Sequence, residues 1–440
     1  MRWVQVQGKT KKRVWIDSQT EEAIKKGVKN AKPLDAYDNL ASAAYLRAKE
    51  DYLMGINFSR LLTLSYGKIL SKRLGKKYVV IAVGRVMTCV LGMIVQRERE
   101  IRNFVKMFYY RIASGFQSGP SMDYDGEWKA VEGSKYHMSD LLYKDIGFKE
   151  IASAEKFISE LKEDHPDLTA VVESIKKKKE TKKPPLLYNL VELQNELSKK
   201  LKVSPDETLK IVQKLYEKKM ITYPRTDARV LSKAVAKELH SNLKGLLRIK
   251  QSCQLVAGDE GIPEAIQKIV KEGLYKGLEK TKYVNDKAIT DHYAIIPTGE
   301  GLGSFNRLSD YEKKTYLLIL RRFLAIFYPP AVFNQLSITT KIKTERFFTT
   351  SKVCIQEGYL VVLKNGKKTG ASNQNNEETL KKLKKGQIVK INKLEMKESE
   401  TAPPKRYSSG SIILAMESAG KLIEDGLTEG RWVRHEGRTI

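Results

Sequence analysis

The sequence predicts a multidomain α+β protein in which mainly helical blocks alternate with a β-rich unit that is split in two along the chain. Three observations predict it. At 440 residues the chain is long enough for two to four domains with sizeable cores. From about Asp35 to Phe104, and again over 184–330, the pattern of apolar residues is helical. Residues 105–183 and 331–400 instead carry short β-type runs, such as Phe108–Ile112 and Leu336–Thr340, broken by Gly, Asn and Asp clusters.

Taken in order, the first helical part (21–104) holds an Ala-rich stretch at Leu40–Ala44 and a long amphipathic segment from Val86 to Ile101, with Arg60, Arg85, Arg97 and Arg99 among its cations. The two β-type stretches read as halves of one unit. Inside the first half, Asp123, Asp125 and Glu127 stand on alternate residues and could face one way on a strand, where they would suit a hard cation. The neighbouring Gly119-Pro120 and the Asp125-Gly126 pair predict a hairpin turn there instead. Ile175 to Lys183 contains six lysines and is followed by Pro184-Pro185, which predicts a solvated hinge, with phosphate contact as a secondary role. A β-unit interrupted by a helical insertion suggests an arm that can swing. Gly370 to Glu378 reads as a polar loop.

The helical insertion carries the most informative stretch, Ile221-Thr222-Tyr223-Pro224-Arg225-Thr226-Asp227. Ahead of it, Ser204 as N-cap, Pro205 at the first helical position and Glu207 in a capping box open a helix with the apolar stripe Leu209, Val212, Leu215 and Tyr216. Pro224 disfavours the α region for Tyr223, so the tyrosine is expected in extended backbone, where side chains 223 and 225 share a face. A phenol, with an ordinary pKa near ~10, is a weak nucleophile at neutral pH and needs a cationic helper. Arg225 supplies a permanently charged fork that matches a phosphate and can stabilise charge developing on its oxygens. The segment therefore reads as a tyrosine aimed at a phosphodiester, the alternative being a tyrosine that packs at a helix–strand junction. Beyond it, Thr226 or Asp227 is expected to cap a second helix carrying Val230, Leu231, Val235 and Leu239.

Composition fits that chemistry. With 80 Lys+Arg against 52 Asp+Glu, a net charge of +28 attracts a polyanion, nucleic acid above all. No apolar run approaches the ~18 residues of a membrane span, and Met1–Gln5 does not begin a signal peptide, so the expected location is the cytoplasm and no membrane partner is expected. Cys89, Cys253 and Cys354 are isolated, and the five histidines show no paired spacing, which argues against zinc modules and disulfides. No phosphate-binding G-x-x-x-x-G-K-[ST] occurs, so no ATP is expected.

Several signatures in fixed order carry a family resemblance: Asp51–Arg60 (DYLMGINFSR), Val83–Thr88, Pro184–Tyr188 with Leu193-Gln194, Ile221–Asp227, Asp291–Thr298 (DHYAIIPT), and Pro403–Tyr407. Over about residues 13–425 the chain resembles a bacterial type IA DNA topoisomerase, of the topoisomerase III kind. The resemblance implies a toroidal core with mainly helical gate and catalytic domains and a β-rich hinge domain, 105–183 with 331–400, around the tyrosine domain 184–330. It implies that Tyr223 attacks one DNA strand to form a 5′-phosphotyrosine link, ATP-independently, with Arg225 at the transition state and His292 near the scissile strand. A satisfied structural role is the other reading of His292. It places Arg60, Arg85, Gln194, Thr226 and Asp227 in contact with DNA, single-stranded or underwound. Met87 and Cys89 depart from the residues that many members carry there, glutamine and proline, so no DNA contact is assigned to Met87.

The resemblance also implies Mg²⁺, held by a glutamate and a D-x-D-x-E cluster in an N-terminal Toprim domain. Here Arg13–Ser18 already resembles the end of that domain, so 1–20 reads as its remnant, the usual ligands are expected to be missing and no metal ligand is assigned. A separate Toprim-containing chain would complete the site. Residues 401–440 resume the helical part, but Gly430–Ile440 leaves the family pattern, which reads as a truncated or frame-shifted gene. Two functions follow: a strand-cleaving topoisomerase, or a fragment that grips single-stranded DNA without cutting it. A relaxase or recombinase would need clustered histidines or an Arg/His constellation around a late tyrosine, and neither occurs.

Overall fold

In the computed structural model the described residues are 10–16, 21–119, 123–163, 169–255, 259–363 and 380–417. The polar stretch Gly370 to Glu378 and the C-terminal Gly430–Ile440 lie outside them. A short antiparallel pair, β1 (Lys12–Arg13) with β2 (Lys32–Pro33), brackets helix α1 (Glu21–Lys29). The 37-residue helix α2 (Asp38–Leu74) ends where Gly75 turns left-handed (φ 62°) and donates its N–H to Ser71 O. The chain then runs back along α2, because Thr63 and Ser59 present hydroxyls that accept from Ile81 N (2.9 Å) and Val83 N (2.8 Å). Helix α3 (Arg85–Arg102) is the amphipathic segment of the sequence. Both helices leave large apolar side chains in solvent, Leu64 at 82% exposure together with Tyr45, Leu46 and Tyr52.

Strands β3 (Phe108–Gln117) and β4 (Asp123–Lys129), helix α4 (Ile151–Glu163) and strand β5 (Thr169–Lys182) follow. They precede the helical insertion, which comprises α5 (Leu190–Leu201), α6 (Pro205–Glu217), α7 (Lys233–Leu246), α8 (Ile249–Ser252), α9 (Gly261–Glu272) and α10 (Asp310–Ala325). After it come β6 (Ala331–Ile342), β7 (Glu345–Gln356), the short α11 (Leu360–Leu363), β8 (Ile388–Glu400) and α12 (Ser409–Glu417). The strands close into one antiparallel barrel, in the order β3-β4-β7-β6-β5-β8, so the two β-type stretches of the sequence pair with each other. Among the described residues, no helix is long and apolar enough to cross a membrane.

Period-two alternation builds the barrel wall. In β4, Tyr124, Gly126 and Trp128 are buried while Asp123, Asp125, Glu127 and Lys129 are exposed. Phe116 packs 5.2 Å from Tyr124 and 5.8 Å from Phe347 inside, and Trp128 stacks on Phe148 (5.2 Å) and meets Phe157 of α4 (4.7 Å). The Trp128 indole N–H donates to the buried Glu345 carboxylate at 2.7 Å.

Two expectations are corrected here. Asp125-Gly126 is not a turn but mid-strand: a Cβ at Gly126 would lie 2.9 Å from Phe116 Cε2 and 3.1 Å from Phe347 Cβ, so the interior rings require glycine. The three carboxylates do share an outer face, but Glu127 pairs with Arg111 at 3.1 Å, and among the described residues no three His, Cys, Asp or Glu side chains come together as a metal site. The lysine run is likewise not a linker. Lys176–Lys182 is the second half of β5, paired with Leu336, Gln335 and Asn334 of β6.

Arg346 holds the Glu173 carboxyl below the ordinary glutamate value of 4.5 through two hydrogen bonds, 2.7 and 3.0 Å, that tie β5 to β7. Because the folded value lies under the unfolded one, this contribution is complete above pH 4.5 and is lost as pH falls through the folded value. Glu173→Gln should remove about 1 kcal/mol or less at neutral pH, the pair being partly exposed, and should flatten the acid limb of a stability–pH curve from urea unfolding. An identical acid limb in the variant would exclude the pair as its source.

In the helical insertion, Ser204 Oγ accepts from Glu207 N (3.2 Å) with Pro205 at the first position, which caps α6. The expected cap at Thr226 or Asp227 is corrected: α7 begins at Lys233 and its cap is Ser232, whose Oγ accepts from Val235 N (3.2 Å). Val230 and Leu231 precede the helix in a buried connection, where Leu231 N donates to Tyr283 O (2.8 Å). Leu193, Val212, Leu215, Leu239, Ile266 and Leu320 form the core of this block. The buried Arg321 of α10 binds Asp259 and the carbonyl of Val362 (2.7 Å), tying α10 to the segment just ahead of α9 and to α11.

Candidate active site

Tyr223 owes its position to a short β-like ladder between residues 220–226 and 292–298. Thr222 N donates to Ile296 O (2.9 Å), Thr298 N to Met220 O (3.1 Å), and Ile221 bridges Pro297. The Thr222 hydroxyl donates to Ala294 O (3.0 Å) and accepts from Ile296 N (3.0 Å). On its other side 294–295 is held by Ile295 N to Tyr188 O (2.8 Å) and Ala294 N to Val230 O (3.0 Å). The segment that carries His292 is thus pinned from both flanks.

Along 223–228, Pro224, Thr226 and Ala228 are buried, Tyr223 is half-buried, and Arg225 and Asp227 are exposed. Arg225 and Asp227 therefore face solvent beside a half-buried Tyr223, but the expected extended backbone is corrected: the chain bends at Thr222 and Pro224, and Thr226 N donates to Pro224 O (3.1 Å) in a tight turn around Arg225. The Tyr223 ring lies 4.4 Å from the His292 ring, tilted by 47°, and takes Tyr216 edge-on at 5.4 Å. Asp227 Oδ1 accepts from Thr290 Oγ1 (3.2 Å), and its carbonyl accepts from Asn189 Nδ2 (3.1 Å) at the start of α5.

Other tyrosines of the block are poor nucleophiles. Burial pushes the Tyr188, Tyr283 and Tyr293 phenols up to about 12, and raises Tyr316 further. Tyr188 OH is in addition bonded to Arg322 (2.9 Å) and Tyr283 OH to Pro184 O (2.7 Å).

Two residues expected at DNA face inward. Gln194 is 8% exposed and its amide donates to Pro205 O (3.1 Å), bracing α5 against α6. Thr226 is 8% exposed; its hydroxyl donates to His292 O (2.7 Å) and accepts from Ala228 N (3.1 Å). Arg60 is exposed on α2 and Arg85 opens α3; among the described residues no hydrogen bond links Arg60 to the tyrosine segment. Sequence reasoning missed Tyr216, Thr222, Asn189 and Thr290. Tyr216 was visible only as part of an apolar stripe; Thr222 and Asn189 act through backbone partners distant in sequence, and Thr290 through the Asp227 carboxylate 63 residues away. Among the described residues no three His, Cys, Asp or Glu side chains come together as a metal site, so the Mg²⁺ implied by the resemblance finds no fitting set of ligands there.

Thr226→Val, which keeps the shape and removes the hydroxyl, orphans His292 O and Ala228 N. Urea unfolding should show a loss of about 1–3 kcal/mol, and Thr226→Ser should restore most of it. Equal stability of the valine and parent proteins would refute the clamp.

Residues 35–423 match the family model described as DNA topoisomerase. The chain belongs to the bacterial type IA DNA topoisomerase family. It is 32% identical to DNA topoisomerase 3 of Bacillus subtilis (strain 168) over 416 residues, 94% of this chain and 51% of that protein. The match to DNA topoisomerase 3 of Bacillus licheniformis is also 32%, over 431 residues, 96% of this chain and 52% of that one. The chain thus spans about half the length of these relatives. Its fold is similar to that of full-length topoisomerase I from Thermotoga maritima, with a TM-score of 0.60 at 24% identity, covering 93% of this chain and 58% of that one.

Proposed function

We propose that this chain carries the strand-cleaving and rejoining core of a topoisomerase III-like type IA enzyme, acting on single-stranded or underwound DNA in the cytoplasm. The observation that supports it most is the Tyr223 ring set 4.4 Å from the His292 ring on a pinned segment, with Arg225 exposed two residues on. The Tyr223 phenol gives up its proton as its oxygen attacks a backbone phosphorus; the bond to the 3′ oxygen breaks, and that oxygen takes up a proton in turn, leaving the 5′ phosphate on the tyrosine. Reversal restores the strand. One phosphodiester replaces another, so no ATP is consumed. Arg225 neutralises charge on the phosphate oxygens, and His292 packs against the phenol at the scissile position.

Strand passage needs the helical block to lift away. Its two ends, Lys182 and Ala331, are partners in the β5–β6 ladder, so the block turns on a single two-stranded root. The exposed apolar face of α2 suits a Toprim-bearing segment or chain, whose burial would remove Tyr45, Leu46, Tyr52 and Leu64 from water. In this reading that partner supplies the Mg²⁺ site, and the steps above use only this chain's side chains.

The test is incubation of the purified chain, with and without Mg²⁺, with a 3′-labelled single-stranded oligonucleotide, followed by a denaturing gel. Label that migrates with the protein supports cleavage through a 5′ link. Salt-sensitive binding without an adduct in either condition would reduce the chain to a strand-holding piece.

A further inference from the structure

An open cleft of about 850 Å³ lies between the N-terminal 15–40 region and the start of α7. One wall carries Trp15, Lys26, Lys32 and Tyr37; the other carries Lys233 and Lys237. Asp286 and Thr290 also line it, and Thr290 bonds the Asp227 carboxylate four residues beyond Tyr223. The cleft therefore borders a residue tied to the segment that follows Tyr223.

Its chemistry is that of a polyanion with flat rings. Four lysines face one carboxylate, and that carboxylate is committed: Asp286 Oδ1 accepts from Lys233 N at 2.8 Å. Asp286 takes Lys233 N and the Ser232 cap takes Val235 N, so anion recognition here is assigned to the lysine ammonium groups. All four lysines are exposed, and among the described residues none of them is in an ion pair. Trp15, 45% exposed, lies parallel to Tyr37 (8°, centroids 6.0 Å apart), and the Arg13 guanidinium sits 5.8 Å over the Tyr37 ring. Stacked aromatic rings flanked by cations form the kind of platform on which unpaired bases stack while lysines follow the backbone. A duplex offers no free base face to such a platform.

We propose that this cleft is a second subsite for single-stranded DNA, in which Lys233 and Lys237 bind phosphates and Trp15 stacks a base. The proposal rests on the reading that a DNA strand is held at Tyr223, and extends that strand along α7. Its consequence is that affinity and cleavage are carried by different residues.

The test is fluorescence anisotropy of a labelled oligothymidylate titrated with the chain over a range of KCl concentrations. Lys233→Gln with Lys237→Gln should weaken binding and lower the salt slope by about 1.4, at about 0.7 per lost phosphate contact on a single strand. Both lysines are exposed, so the fold is preserved, which far-ultraviolet circular dichroism checks. Trp15→Ala should weaken binding about tenfold and leave the slope unchanged, because stacking releases no counterions. Tyr223→Phe should keep parental affinity and slope. Parental affinity and slope in both cleft variants would overturn the subsite while leaving the tyrosine chemistry intact. Loss of affinity in them without any adduct in the parent would uphold the subsite and remove the cleavage reading.

Discussion

Tyr223→Phe is expected to hold a single strand as tightly as the parent and to form no covalent adduct. The ring that His292 and Tyr216 contact at 4.4 and 5.4 Å is retained, so the segment keeps its shape, and only the attacking oxygen is lost. Compensation by a neighbour is blocked. Burial keeps Tyr293 and Tyr188 protonated far above neutral pH, and Tyr188 is tied to Arg322. Adduct formation should fall by more than about 10⁴-fold, the scale on which removal of a nucleophile acts. Persistence of the adduct in the variant would move the nucleophile elsewhere, and Tyr216 would be the next to replace.

The second large effect concerns a site with no chemistry of its own. Gly245 of α7 meets the loop after the His292 segment: a Cβ there would lie 2.5 Å from Gly299 O and 2.9 Å from Gly299 Cα. Gly299 itself has φ +81°, and its own Cβ would lie 2.4 Å from Asn242 O. Every one of these neighbours is backbone, so no side chain can move aside. Alanine at 245 gains roughly 1 kcal/mol of helix propensity. The forced backbone shift costs typically 1–3 kcal/mol, and more where backbone meets backbone. A net loss of about 2 kcal/mol is therefore expected for Gly245→Ala by urea unfolding, with weaker adduct formation as residues 292–298 move. A more stable variant would mean that propensity wins and the approach of α7 is loose.

Legibility in the sequence followed the range of the interactions. The cap at Ser204, with Pro205, was readable because its partners lie within three residues. Pro224 misled in part, because it constrains only the residue before it, whereas the bend at Thr222 and the tight turn closed by Thr226 N on Pro224 O follow from the ladder to residues 292–298. Asp125-Gly126 misled because a glycine demanded by the rings of Phe116 and Phe347 is locally identical to one demanded by a turn. Lys176–Lys182 misled because its polar composition matches a linker, whereas β6, more than 140 residues later, supplies its partner strand. The resemblance placed Gln194 and Thr226 at DNA, but it could not show that both side chains face inward. Their bonds to Pro205 O and His292 O depend on how α5 meets α6 and how residue 226 meets 292.

The barrel has a consequence for how the protein is made. Its closing seam joins Phe108 to Glu400, while the helical insertion draws its core from residues that are close in sequence. Contacts between distant residues form slowly, since the chain entropy of closing the loop is lost before the contact is gained. On a translating ribosome, β3 and β4 emerge first and wait with open edges, β8 being last to leave the exit tunnel. The tyrosine block thus becomes a folded island inside an unfinished barrel, and the hinge that would swing it is the last part to be built.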